Sequence, residues 1–231
     1  MTHLIRALAF TLLSATSAAA QQAPVVVELF TSQGCSSCPP ADKMMHELAG
    51  RSDVIALALH VDYWDYIGWK DEFAHPRNAE RQRDYARHAN RRSIYTPQMV
   101  IMGQTDIVGA KPIKLSDAIA AYKNKPQPVQ VSLTREGDTI RISAVATEGK
   151  AGPMVVHFLR YQPKREARIT RGENKGHTFQ YANVTENWTI LGDWDGREPL
   201  TMAAEAPGDF PAVVLVQAPD NGPIYGAAQL K

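Results

Sequence analysis

Two cysteines separated by two residues are the part of this sequence best suited to chemistry. Cys35 and Cys38 follow Gly34, and the 231-residue chain contains no other cysteine. Two thiols at this spacing can face each other across one turn, close a small disulfide and reopen it. The turn before the pair and the helix expected after it place Cys35 at a helix N-terminus. Unpaired N–H groups and the helix dipole favour a thiolate there.

This placement predicts different roles for the two thiols. A free cysteine has a pKa of about 8.5, and in such motifs the value falls to roughly 3.5–7.5. We expect Cys35 to be an accessible attacking sulfur and Cys38 to resolve the mixed disulfide. Pro39 lacks a backbone donor and its ring clashes inside a regular helix. Either the helix therefore begins at Cys38-Pro39, or its first turn is distorted.

Other chemistries remain open for the same residues. A permanent structural disulfide is one, since disulfides persist in exported proteins. Copper binding is another, because soft sulfur ligands suit that metal. Structural zinc is not expected, because it needs four ligands and there is one C-x-x-C pair. No phosphate-binding loop, dinucleotide-binding glycine motif or hydrolase elbow occurs, so no cofactor is predicted. The copper set would combine the cysteines with Met44, Met45, His46 or His60.

The N-terminus has the pattern of a secretory signal peptide. Arg6 precedes an apolar run at residues 7–13, and an A-x-A site follows at residues 18–20. We expect residues 1–20 to be removed, which predicts a periplasmic or secreted protein; an uncleaved anchor is the alternative. The run is too short for stable membrane insertion across roughly 30 Å. With 25 basic and 24 acidic side chains, the chain lacks the basic surplus that nucleic-acid binding needs.

The pattern of apolar residues predicts two regions of different character. Residues 21–124 read as an α/β domain in which a strand–helix–strand unit is followed by a polar helix, a hairpin and a last helix. Residues 125–128, Lys-Pro-Gln-Pro, read as a linker. Residues 129–231 show short strands between turn signals, which favours an all-β sandwich or small barrel. The strands are expected at 25–30, 54–61, 98–102, 107–109, 129–133, 139–143, 155–161, 185–191 and 213–217, and the helices at 39–48, 78–88 and 113–124.

Three stretches carry a resemblance to known proteins. They are residues 28–42 around the cysteine pair, residues 60–70, and residues 95–100, in which Thr96-Pro97 opens a strand. In this order they resemble the thioredoxin fold. More narrowly, they look like a secreted bacterial thioredoxin-like family of unknown function (domain of unknown function 1223), over nearly the whole mature chain. The sequence differs from thioredoxin itself because no Trp precedes Cys35 and the intervening residues are Ser-Ser.

The resemblance implies roles for residues outside the cysteine pair. Pro97 is expected in the cis form, and the backbone of Thr96 is expected to pair with an extended substrate peptide. Thioredoxin-like enzymes often carry a buried acid for proton transfer, and Glu28 is the candidate on the first strand. The alternative for Glu28 is a strand-end residue satisfied by a turn.

The aromatic segment from His60 to Trp69 allows two interpretations. It could form a wall beside Cys35, with Trp64 and Tyr95 contacting substrate, or hold a metal. The simpler interpretation is a structured insert whose aromatic rings cap the core, because such rings bury large areas. Six arginines cluster around the following helix, which could bind an anion or an acidic peptide but is more often a solvated face, partly paired with Glu80 and Asp84. They are Arg77, Arg81, Arg83, Arg87, Arg91 and Arg92.

Taken together, the residues favour an exported thiol–disulfide oxidoreductase. Cys35, Cys38, Pro97, Thr96 and Glu28 would form its catalytic site, and a thiol- or disulfide-containing protein would be its partner. The alternative is a non-catalytic protein that binds copper or a partner on the same scaffold.

Overall fold

The computed structural model describes residues 23–147, 149 and 152–231. The expected signal peptide, residues 1–20, lies outside this part of the chain. Within it, no helix combines the length and the apolar character needed to cross a membrane.

Strands and helices alternate in the first half of the described chain. The first and second strands are buried at every position, in keeping with their runs of β-branched and aliphatic residues. They pair in parallel, and the third strand pairs antiparallel with both the first and the fourth. The predicted strand–helix–strand unit and hairpin are therefore confirmed. The elements are β1 (Val25–Thr31), α1 (Pro39–Ala49), β2 (Val54–His60), a 3-10 helix (Asp65–Ile67), α2 (Pro76–His88), β3 (Gln98–Ile101), β4 (Thr105–Val108) and α3 (Pro112–Lys123).

Strands dominate the second half. The five strands predicted there are present, two of them much longer than expected, and two further strands were not predicted. Here the elements are β5 (Val129–Glu136), β6 (Thr139–Ala146), β7 (Met154–Arg168), β8 (Thr178–Trp194), β9 (Leu200–Glu205), β10 (Ala212–Gln217), a 3-10 helix (Pro219–Asn221) and β11 (Ile224–Leu230).

One large sheet runs through both halves of the chain. Its eight strands have the order β11-β10-β7-β8-β2-β1-β3-β4. The junction between β2 and β8 is a parallel pairing of Ala58 with Val184. Side chains of β8 reinforce it: Asn183 Nδ2 donates to the carbonyl of Ala56 (2.8 Å), and Thr185 Oγ1 donates to that of Ala58 (3.1 Å). The large sheet therefore contains strands from both sides of the linker predicted at residues 125–128.

The smaller sheet supplies a second β layer. Its order is β5-β6-β9. Ile140 and Ile142 of this sheet share a buried cluster with Val156, Phe158 and Val214 of the large one. The two sheets thus pack as two β layers, and the larger layer is continuous from the C-terminal strands to β1, β2, β3 and β4.

Candidate active site at the cysteine pair

Cys35 and Cys38 are joined by a disulfide in the turn between β1 and α1. The S–S distance is 2.10 Å and the two Cα atoms are 5.4 Å apart. The Cys35 N–H donates to Ser32 O (3.1 Å), and the Cys38 N–H donates to Cys35 O (3.2 Å). Cys38 is the N-cap of α1, and Pro39 occupies the first helical turn, where its missing N–H leaves no hydrogen bond unmade. The helix therefore begins at Cys38-Pro39, and Cys35 lies three residues before its cap.

Both sulfur-bearing residues are buried. Cys35 is 1% exposed and Cys38 is 0% exposed, whereas Ser36 and Ser37 between them are exposed. The expectation of an accessible Cys35 is therefore wrong for this disulfide state. The sequence motif describes the turn itself and contains no information about the distant segments that cover it.

Two segments pack on the turn. A Cβ added to Gly34 would lie 3.3 Å from both Trp64 Cβ and Ile67 Cδ1, so the insert after β2 rests directly on this residue. From the other segment, Asn174 Nδ2 donates to the carbonyls of Gln33 (2.9 Å) and Cys35 (3.1 Å). These contacts hold the turn against the body of the protein.

Trp64 connects the cysteine turn to the proline loop. Its Nε1 donates to Thr96 Oγ1 (2.7 Å), and the Thr96–Pro97 peptide bond is cis, as the resemblance implied. Trp64 also packs against the main core, which agrees with a core-capping insert. The ring of Tyr66 stacks on that of Trp64 and is 82% exposed.

The other predicted substrate contact has partners of its own. Tyr95 OH donates to Asp106 Oδ2 on β4 (2.8 Å), and the Tyr95 carbonyl accepts from Gln82 Nε2 (2.7 Å). Burial raises the pKa of the Tyr95 phenol to about 12. The structure therefore brings Trp64 and Thr96 together, while the Tyr95 hydroxyl is held against the hairpin.

Glu28 belongs to an ionic cluster with α2. Its Oε1 accepts from Arg81 Nε (2.6 Å), and its Oε2 accepts from Tyr85 OH. Arg81 is 4% exposed and Glu28 is 0% exposed, so this ion pair is buried. Gln217 Oε1 accepts from Arg81 Nη2 (3.0 Å) and ties the cluster to β10. Neither sequence interpretation of Glu28 identified this partner, and the solvated-face interpretation of the arginine helix is wrong for Arg81.

A different buried acid lies next to the cysteine pair. Asp42 is one helical turn after Cys38, and its backbone N–H donates to Cys38 O (3.1 Å). Its Oδ1 accepts from Thr31 Oγ1 (2.8 Å). Burial raises the pKa of Asp42 to about 7, although nearby His60 lowers it. Asp42 is not among the site residues predicted from the sequence, but its four-residue spacing from Cys38 was a usable signal, because such residues share a helix face.

His60 and Asp71 form a second buried pair under the turn. His60 Nδ1 lies 2.7 Å from Asp71 Oδ2, and both side chains are fully buried. The N–H of Gln33 also donates to Asp71 Oδ2 (2.8 Å). Burial works against ionisation of Asp71, but His60 and the backbone N–H groups hold the pKa of this carboxyl below its usual value. Gln33 thus links the cysteine turn to a charged group.

The donors considered for copper are engaged elsewhere. Met45 lies in the main core and Met44 packs against it, and His46 Nε2 hydrogen-bonds with Gln180 O (2.9 Å). His60 is paired with Asp71. Over the described residues, no group of three or more His, Cys, Asp and Glu side chains is arranged to hold a metal ion.

Fold and site together define a mixed α/β protein with a disulfide closed just ahead of its first helix. The chain belongs to DUF1223, a protein family of unknown function, whose model matches residues 26–217. It is similar to a crystallised protein of Agrobacterium tumefaciens, AGR_C_4864, with 33% identity, a TM-score of 0.79 and coverage of 91% of this chain and 96% of that one. HBP35 of Porphyromonas gingivalis shares the fold at 18% identity and a TM-score of 0.60, over 90% of this chain and 75% of that one. No curated protein matches.

Proposed function

We propose that this protein is an exported thiol–disulfide oxidoreductase with a thioredoxin-like core, which acts on thiol- or disulfide-containing protein partners. The observation that carries the proposal is the Cys35–Cys38 disulfide at the start of α1, with the buried carboxyl of Asp42 one turn further on.

Strand order supports the thioredoxin-like assignment. The part β2-β1-β3-β4 has a parallel pair followed by two antiparallel pairings. Helix α1 connects β1 to β2 directly after the cysteines. These features agree with the resemblance carried by the motifs, and the further strands β7, β8, β10 and β11 extend the same sheet beyond it.

The chemistry of this site transfers two electrons and two protons. A partner thiolate attacks Cys35 Sγ, the Cys35–Cys38 bond breaks, and Cys38 leaves as a thiolate that takes the proton of Asp42. A second partner thiolate then attacks the partner's own sulfur in the mixed disulfide and releases Cys35 as a thiolate. The two protons that the partner thiols lost to solvent are replaced by solvent protons on Cys35 and on the Asp42 carboxylate. The partner dithiol becomes a disulfide, and the cysteine pair of this protein is reduced. In the reverse direction, the Asp42 carboxylate accepts the proton of the Cys38 thiol.

Burial of the disulfide adds a requirement to this chemistry. A partner thiolate needs access to Cys35, and we infer that the insert carrying Trp64, which rests on Gly34, moves to give it. That movement breaks the hydrogen bond from Trp64 to Thr96 and frees the proline loop. An extended partner segment can then pair with the Thr96 backbone beside Cys35, a form of strand addition.

Export is part of the proposal because disulfide chemistry depends on the compartment. The signal-peptide pattern at residues 1–20 supports delivery to the periplasm or the exterior, where disulfides form and persist.

A second candidate function follows from the burial itself. A disulfide with exposed fractions of 1% and 0% at its two residues also suits a permanent structural bridge. Such a bridge stabilises the fold mainly by constraining the unfolded chain and takes no part in turnover.

Catalysis of insulin reduction by dithiothreitol separates the two candidates. We expect the wild-type chain to accelerate reduction, Cys35→Ser to abolish the acceleration, and Cys38→Ser to trap a mixed disulfide detectable by mass spectrometry. Ser36→Ala in the same turn is the matched control and should retain activity. If the wild type gives no acceleration and Cys38→Ser traps no partner, the structural bridge is correct.

A further inference from the structure

A cavity of about 420 Å³ lies where α2 faces β7 and β8. Neither cysteine borders it, so it is separate from the disulfide site. Its size is in the range of small-molecule sites in proteins, roughly 300–1,000 Å³. The side chains that line it and are used below are Arg77, Glu80, Arg81, His157, Trp188 and Ile190.

Trp188 forms a fixed aromatic wall of this cavity. The guanidinium carbon of Arg81 lies 4.3 Å from the centre of the indole. Trp188 Nε1 donates to His157 Nδ1 (3.1 Å), and Arg77 Nη1 donates to the Trp188 carbonyl. These three contacts fix the ring, the indole nitrogen and the backbone of Trp188, so the wall is preformed for a ligand.

His157 supplies a hydrogen-bond donor that is not used. The residue is 4% exposed. Because its Nδ1 accepts from Trp188, the hydrogen of the neutral ring lies on Nε2, and in the described part of the chain Nε2 has no partner. Burial and nearby Arg81 lower the pKa of His157 to about 3, so the ring is neutral at physiological pH. The ring therefore lines the cavity without adding a charge to it.

Only two of the charged groups around the cavity lack an ion-pair partner among the described residues. Glu28 compensates Arg81, and Arg87 compensates Asp84. Arg77 and Glu80 remain: both are exposed, and they are three residues apart on α2. Residues at this spacing are neighbours on a helix surface. The cavity mouth therefore presents one positive and one negative group side by side.

We propose that this cavity binds a free α-amino acid with an apolar or aromatic side chain. Its carboxylate pairs with Arg77, and its ammonium group pairs with Glu80. The side chain packs against Trp188 and against Ile190, which is 62% exposed. This zwitterion pairs with both charged side chains at once, and a ligand with one charge leaves one of the two without an ion-pair partner.

Calorimetric titration of the full chain with three matched probes tests the proposal. L-phenylalanine has both charges, N-acetyl-L-phenylalanine lacks the ammonium group, and L-phenylalaninamide lacks the carboxylate. We expect saturable one-to-one binding of L-phenylalanine, and binding about tenfold weaker for each analogue, since a charge-assisted hydrogen bond contributes on this scale.

Substitutions at the two exposed charged residues test which charge of the ligand each side chain pairs with. Arg77→Gln should weaken L-phenylalanine and N-acetyl-L-phenylalanine about tenfold more than it weakens L-phenylalaninamide, because loss of the contact to the Trp188 carbonyl affects all three probes alike. Glu80→Gln should weaken L-phenylalanine and L-phenylalaninamide and leave the acetylated probe unchanged. Arg83→Gln and Glu72→Gln replace exposed residues outside the cavity lining and should have no effect.

The proposal is overturned if L-phenylalanine shows no saturable binding at millimolar concentration, or if its affinity is unchanged in both Arg77→Gln and Glu80→Gln. Binding should be the same in Cys35→Ser as in the wild type. The outcome is therefore independent of thiol–disulfide activity.

Discussion

Replacing Asp42 with asparagine should change how the stability of the protein depends on pH. Burial raises the pKa of this carboxyl from 3.8 to about 7, with His60 acting against the rise and Asp71 adding to it. One pKa unit corresponds to about 1.36 kcal/mol. A shift of about three units therefore amounts to roughly 4 kcal/mol of stability that is lost when the folded protein must hold an ionised Asp42.

The sign follows from the proton counts of the two states. Between about pH 4 and about pH 7 the folded protein keeps the Asp42 proton and the unfolded chain has released it. Stability from this group is therefore fully present below about pH 4, falls as the pH rises, and is lost above about pH 7. The Asp42→Asn variant cannot ionise here, and its new Oδ1 can still accept from Thr31, so its stability should not follow this slope. The buried amide has its own cost of about 1–3 kcal/mol, which leaves a net gain of about 1–3 kcal/mol at about pH 8.

Urea unfolding at a series of values from about pH 4 to about pH 8 measures this difference. Asp42→Asn should be the more stable protein at the upper end and lose that advantage at the lower end. Asp117→Asn, which replaces an exposed aspartate on α3, is the control and should run parallel to the wild type. A constant difference between Asp42→Asn and the wild type across the whole range would refute the reasoning.

Two further substitutions test the buried ion pair and the cover of the disulfide. Glu28→Gln should destabilise the protein by about 3–5 kcal/mol in urea unfolding, because it leaves the Arg81 charge buried and unpaired; a loss below about 1 kcal/mol, the size of a surface pair, would contradict this. Trp64→Phe removes the hydrogen bond to Thr96, so the rate of disulfide reduction by dithiothreitol should rise several-fold, at a stability cost of about 1 kcal/mol. Trp188→Phe also removes an indole hydrogen bond, but Trp188 lines the cavity beside α2, which neither cysteine borders. It should leave that rate unchanged; equal effects of the two would show that reduction does not depend on the insert.

Local sequence patterns were sufficient to predict most of the helices and strands. The apolar runs of β1 and β2 are buried at every position, and a strand of this kind is recognisable because both of its faces are apolar. Pro39 fits only the first turn of a helix, and the structure begins α1 there. The spacing of Cys35 and Cys38 was enough to predict that they can form a disulfide, because the two residues are close together in the chain.

Long-range contacts account for what the sequence did not reveal. The pairing of β2 with β8 joins residues far apart in the chain, and it uses polar side chains such as Asn183. The cover of Cys35 includes a hydrogen bond from Asn174, 139 residues away. Glu28 and Arg81 are separated by 53 residues. Neither periodicity nor spacing encodes such contacts, so the burial of the cysteines could not be anticipated.

Equilibration with glutathione redox buffers tests the central claim most directly. The full chain is incubated at a series of potentials and quenched with acid, and its free thiols are alkylated and counted by mass spectrometry. Our account predicts that the Cys35–Cys38 couple titrates reversibly within the range of dithiol oxidoreductases, about −270 to −120 mV. A couple that stays oxidised below about −300 mV, as structural disulfides do, would contradict it.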